Sequence, residues 1–240
     1  MARAKRRTKR KGGLSRVVKV ALLLLVLAGG AAAWFVIDRQ AWRPDEAVWP
    51  DQGALLAADD GPVAFDTLKG LGAKFVYLEA SDGTEGRDIA FAQNLARAGQ
   101  AGLEVGAVHR FDPCDVADGQ SANFVTMVPR DAALLPAAIL LEGNAEDCAE
   151  RVSDAAVQSE LMTLVNQIEA HTGKAVILAP SDEFEQLYGV SRRIDRQLWL
   201  TSSWSEPDYA VRPWLMWTAN RWYRNEAAQS PLRWVVVRPL

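Results

Sequence analysis

The longest apolar stretch in the chain covers residues 20–37, VALLLLVLAGGAAAWFVI, eighteen positions without a charge. As a helix at about 1.5 Å per residue it spans roughly 27 Å, close to the hydrocarbon thickness of a bilayer. Residues 38–52 carry prolines and charges with no apolar period and read as a linker. From residue 53 onward, short apolar runs alternate with amphipathic ones. Strands are predicted at 53–57, 75–80, 104–111, 138–142, 175–180, 197–202, 214–219 and 233–237. Helices are predicted at 88–101, stopped by Gly102, and at 117–128. A third runs over 153–172, with Ser153 as cap, Gly173 as stop, and Val157, Leu161, Leu164, Val165 and Ile168 at helical spacing. Strand and helix in alternation argue for a parallel α/β architecture. Eight strands suit a barrel better than an open sheet, and the short or missing later helices make it an irregular one.

Charge changes the picture at the N-terminus. The chain has 240 residues, 27 basic and 30 acidic, a net of −3. Nine of the basic residues precede Val20 and no acid precedes Asp38, so the rest has 18 basic against 30 acidic residues, a net of −12. The positive-inside rule places residues 1–19 in the cytoplasm as a basic tail, and everything after the 20–37 span outside it. Two readings of the span remain open. It is an uncleaved signal anchor in the inner (cytoplasmic) membrane, or a signal peptide cut after Ala31-Ala32-Ala33. The apolar run continues through Trp34-Phe35-Val36-Ile37 past that site, which favours the anchor. A topology signal accounts for the tail, so no nucleic-acid role is expected.

Composition removes further classes. A chain that is 49% hydrophobic is not disordered, and one with a single long apolar run is not a polytopic transporter. An oxidising compartment would favour pairing the only two cysteines, Cys114 and Cys148; two free thiols are the alternative. Two Cys with the distant His109 and His171 make no metal-ligand set, and no cofactor is expected.

Residues 61–83, GPVAFDTLKGLGAKFVYLEASDG, and above all 88–111, DIAFAQNLARAGQAGLEVGAVHRF, resemble the family 25 glycoside hydrolases. These are the Chalaropsis-type lysozymes, N-acetylmuramidases that cleave the β-1,4 bond of peptidoglycan after N-acetylmuramic acid. Gln120, Ala122 and Phe124 fit the family's next helix, Leu135-Pro136 opens the strand that bears its catalytic acid, and Trp199, Trp214 and Trp217 fit its late strands. The resemblance implies an irregular, flattened (β/α) barrel over 53–240, with a groove at the C-terminal ends of the strands. It implies Glu142 as the acid/base. It also implies a groove in which Tyr77, Asp82, His109, Trp199 and Trp217 meet substrate. Trp204 and Trp222 follow strand ends and are further groove candidates.

The chain departs from the family where chemistry is most demanding. Glycoside cleavage needs an acid for the leaving oxygen and a second group for the oxocarbenium-like centre. The family supplies an Asp-x-Glu, and here Leu140 stands in the aspartate's place. Leu55 stands where the first strand's Asp belongs, and 233–240 has no acid where the family's last strand carries one. Glu79, at a site the family usually gives to lysine, is the remaining candidate for a rebuilt carboxylate pair with Glu142. The opposing expectation is that Glu142 is paired with His109 or Arg110 and performs no chemistry. The expected function is a membrane-anchored peptidoglycan-acting domain with hydrolysis reduced or lost. The alternatives are a peptidoglycan-binding module or a protein-interaction scaffold of the cell envelope.

Overall fold

The computed structural model describes residues 16–57 and 59–239. Most of the basic tail, residues 1–15, lies outside them. The chain forms two compact units divided after Arg39. Helix α1, Arg16–Ala41, is longer than the 20–37 run at both ends, and none of its residues is buried. It is long and apolar enough to cross a membrane, a property that a signal sequence shares.

The second unit, Gln40–Leu240, is a closed barrel. Its strands are β1 (Gln52–Leu56), β2 (Phe75–Asp82), β4 (Glu104–Arg110), β5 (Ala138–Leu141), β6 (Ile177–Pro180), β7 (Gln197–Thr201), β8 (Met216–Tyr223) and β9 (Leu232–Val237). The short β3 (Gly86–Arg87) only extends β2 as a hairpin. The sheet order is β1-β9-β8-β7-β6-β5-β4-β2-β3, and β1 also pairs with β2, which closes the ring. All ring pairings are parallel except those of β9, which runs antiparallel to both β1 and β8. The eight residues between β8 and β9 are too few for a crossover, which needs a dozen or more, so the last strand returns as a hairpin.

Helices α2 (Phe65–Gly70), α3 (Phe91–Gln100), α4 (Ala117–Met127), α5 (Asp154–Thr172), α6 (Asp182–Tyr188) and α7 (Val190–Arg193) lie between the strands in sequence. Ser153 caps α5 by accepting the Ala156 amide at 3.2 Å, and Gly173 ends it in the left-handed region at φ 70°. The expected start of α3 at residue 88 moves to Phe91 because the Asp88 carboxylate accepts the Ala90 amide at 2.8 Å, making a turn first.

Alternation along the strands divides the core in two. Leu55, Phe75, Tyr77, Val108, Leu140, Trp199 and Val235 fill the barrel interior, while Leu78, Ala107, Ile139, Leu141 and Trp234 face outward. The interior is a packed core, closed around the Tyr77–Trp199 edge contact at 5.0 Å between ring centres. Gly106 permits it, since a Cβ there would lie 2.2 Å from the Tyr77 ring. Gly106→Ala should therefore lower stability by about 1–3 kcal/mol, the usual cost of overpacking, read as a shifted urea midpoint at unchanged slope.

The stretch expected as a linker contributes to this unit. Trp49 stacks on Trp214 at 5.9 Å and meets the edge of Trp217 at 5.5 Å, and Trp42 lies 6.4 Å from Trp217. Gln52, fully buried, donates to Pro44 O and Trp49 O and accepts the Trp234 indole N–H. Residues 42–51 thus strap the outer face of β8 and β9 and cover it with aromatic side chains.

Candidate functional site

Four strands place charged side chains at one end of the barrel, the C-terminal end of the parallel strands. Glu142 follows β5 two residues after Leu140 and so projects at the barrel mouth on the same side. Arg110 ends β4 two residues after Val108, by the same rule. Glu79 stands near the end of β2. Arg233 starts β9, two residues before the interior Val235, and its antiparallel direction brings it to the same end.

Asp82 joins them through an irregularity. The β2–β4 register shifts between Glu79 and Ser81, so Ser81 pairs with His109 and Asp82 with Arg110. The extra residue re-aims the end of β2, a usual effect of a bulge.

Arg110 is the hub of the cluster. Its Nη2 donates to Glu79 Oε1 at 2.9 Å, its Nη1 donates to Glu142 Oε2, and its Nε stands 3.8 Å from Asp82 Oδ2. Arg233 Nη1 meets the same Glu79 oxygen at 2.8 Å. Glu79, with its side chain only 13% exposed, is therefore clasped by two guanidinium groups. Burial alone would pull the Arg110 pKa down, but the charges and hydrogen bonds of Glu79 and Glu142 outweigh it and hold the group above its ordinary value. Burial raises the carboxyls of Asp60 and Asp82. For Asp60 the Ala57 amide and Arg233 oppose the rise, and for Asp82 Arg110 does. Beside the cluster lies a cleft of about 430 Å³, bounded by Asp82, Arg110, Pro113, Glu142 and Asn144.

The other expected groove residues lie elsewhere. His109 is fully buried on the outer face of β4, the opposite side from Arg110. Its Nδ1 is 2.8 Å from Ser81 Oγ and its Nε2 is 3.2 Å from Gln120 Oε1, and its ring meets Phe124 of α4 edge-on. Gln120 Oε1 also accepts the Asp112 amide, so the bonds fit an imidazole protonated at Nε2 only. Tyr77 and Trp199 are interior core, with their polar atoms on Pro136 O and Thr218 Oγ1. Trp217 packs in the outer layer and donates to Ser202 O. None of these three presents an open ring face. Leu55 and Leu140, 2% and 5% exposed, fill the interior beneath the charges. Among the predicted set, the structure brings together Glu79, Asp82 and Glu142. Arg110 enters through the opposing expectation, in which Glu142 is paired with His109 or Arg110, and parity with Val235 is the available signal for Arg233.

Burial lowers the His109 pKa to about 4, against a raising effect from Gln120. Its folded value lies below its unfolded one. The stability this contributes is thus complete above about pH 6.5 and lost as pH falls toward 4, amounting to roughly 3 kcal/mol. Thermal melts between pH 7 and 4 should show that loss, and His109→Gln should flatten the slope in that window.

The one disulfide, Cys114–Cys148, joins the loop after β4 to the loop after β5, the two walls of the cleft.

Comparison with known proteins accords with this architecture. The sequence profile of Glycosyl hydrolases family 25 matches residues 56–229. No curated protein matches the chain. Among solved structures, a family 25 glycosyl hydrolase from Bacillus anthracis superposes with a TM-score of 0.75 at 23% identity, covering 84% of this chain and 94% of its own. A bacterial lysozyme from Streptomyces coelicolor gives 0.69 at 19% identity, over 79% and 92% of the two chains. A family 25 lysozyme from Aspergillus fumigatus gives 0.65 at 19%, over 79% and 94%. With more than half its length within the family profile and its fold shared with solved members, this chain belongs to glycosyl hydrolase family 25.

Proposed function

We propose that the protein is a membrane-anchored, envelope-facing peptidoglycan-binding domain in which family 25 hydrolysis is lost or severely reduced. The anchor is the uncleaved 20–37 span, with the basic tail in the cytoplasm and the barrel in the periplasm or at the cell exterior. The ligand class follows from the family and from relatives described as lysozymes and muramidases. The observation that carries the reading is Arg110. A general acid must offer its carboxyl oxygen to the leaving group, and Glu142 Oε2 instead accepts from a guanidinium that also holds Glu79. Leu55 and Leu140, at the positions the resemblance assigns to family aspartates, are sealed in the core. The cleft beside Glu142 remains large enough for part of a sugar and is lined by polar groups that suit hydroxyls.

The test is turbidity clearing and sedimentation with purified sacculi, using the detergent-solubilised full chain beside Glu142→Gln. Co-sedimentation with clearing at the level of buffer is expected for both. Robust clearing that Glu142→Gln abolishes would overturn the loss of hydrolysis, and a failure to sediment would overturn the ligand class.

A further inference from the structure

Outside the lining of the cleft, one aromatic patch stands on the barrel rim. Trp222 lies near the end of β8 and is 46% exposed. The Trp204 ring lies 5.7 Å from it at 33°, and the Arg221 guanidinium sits 5.9 Å from its centre. Trp204 is the only non-glycine among the described residues with a positive φ, 71°, a costly conformation for a bulky side chain. It is held there by its amide, which donates to Ala219 O at 2.8 Å. Arg224, two residues beyond Trp222, is also exposed.

The chain enters the barrel unit beside this patch. The Arg224 amide donates to Gln40 O at 2.9 Å and its Nε to Gln40 Oε1 at 3.1 Å. Asn220 Nδ2 donates to Trp42 O at 2.7 Å. Gln40 is only three residues after Ile37, where the apolar run ends, so the covalent chain alone keeps Gln40 within about 10 Å of that end. Aromatic rings with an amphipathic edge, flanked by arginines, are the side chains that the headgroup region of a bilayer favours. Two arginines on a body of net −12 also make this rim a local match for anionic lipid.

We propose that Trp204, Arg221, Trp222 and Arg224 form a lipid-contact surface that seats the barrel rim in the headgroup layer of the membrane carrying the 20–37 span. The proposal rests on that span being retained.

Photo-crosslinking of the full chain in nanodiscs of three parts phosphatidylcholine to one part phosphatidylglycerol tests this. A benzoylphenylalanine replaces Trp222 in one protein and Glu104, exposed at the opposite strand ends, in another. Several-fold more lipid adduct from position 222 is expected, reduced when Arg221→Glu and Arg224→Glu are added. Equal adducts at both positions, with the chain retained in the disc, would overturn the lipid surface and leave the anchor standing. Adducts from position 222 that move from lipid to added peptidoglycan fragments would overturn it in favour of a glycan surface. A chain lost from the disc would overturn the anchor and the surface together.

Discussion

Leu55→Asp combined with Leu140→Asp, which returns carboxylates to the two family positions, is expected to yield a poorly folded protein without hydrolysis. Both leucines are almost fully buried among Tyr77, Val108, Trp199 and Val235. Removing a buried leucine leaves a cavity, and a charge put in its place loses its hydration; together these cost on the order of 3–5 kcal/mol per site. The pair then consumes most of the 5–15 kcal/mol that holds a typical domain together. The two sites should differ. Leu55 stands opposite Arg233 in register, and Arg233 Nη2 is buried with no partner, so a carboxylate there gains a donor. Leu140 stands opposite Arg110, whose nitrogens already serve Glu79 and Glu142. Leu140→Asp should therefore be the more damaging single change, seen as a lower melting temperature and lower soluble yield. Clearing of sacculi by a folded double variant would instead mean that the arginines leave the new carboxylates free.

The same register pairs extend the proposed loss of hydrolysis beyond the two leucine positions to the charges around them. Leu55 and Leu140 each face an arginine on the neighbouring strand, and those arginines bind Glu79 from both sides. Charge at the mouth is satisfied within the protein. The cleft keeps its polar walls, but its strongest electrostatic groups are directed at one another.

Much of this was legible in the sequence, for identifiable reasons. Helix α5 was readable because its cap, apolar face and stop glycine all agree. Glu142 was legible only through the family resemblance, and a strand's two-residue period then puts it on the same side as Leu140. The direction of β9 was not, since a strand's side-chain pattern is the same read either way, and only the length of the connection before it decides. His109 was placed wrongly for a related reason. EVGAVHR is apolar on both faces, as expected of a strand buried on both sides, so alternation gives no sign of which residues point inward. The strap of residues 42–51 was missed because it works by burying Trp42 and Trp49 without any regular period. The bulge that turns Asp82 toward Arg110 leaves no mark in composition at all.

Reduction of Cys114–Cys148, or Cys114→Ser with Cys148→Ser, should cost roughly 4 kcal/mol, because the bridge closes a loop 34 residues long in the unfolded chain. The effect should concentrate at the cleft. The loop after β4 carries Asp112, Pro113 and Cys114, the loop after β5 carries Gly143, Asn144 and Cys148, and the two touch at the lip. One such contact is tight, since a Cβ on Gly143 would lie 2.7 Å from Pro113 Cδ. Without the covalent tie the two walls open on the timescale of local unfolding, while the interior around Tyr77 and Trp199 is untouched. Hydrogen exchange should accordingly rise first over 112–116 and 143–150 in the reduced protein, and binding to sacculi should weaken before the barrel melts. Uniform exchange across all strands on reduction would place the stabilisation in the barrel as a whole and remove the cleft from the argument.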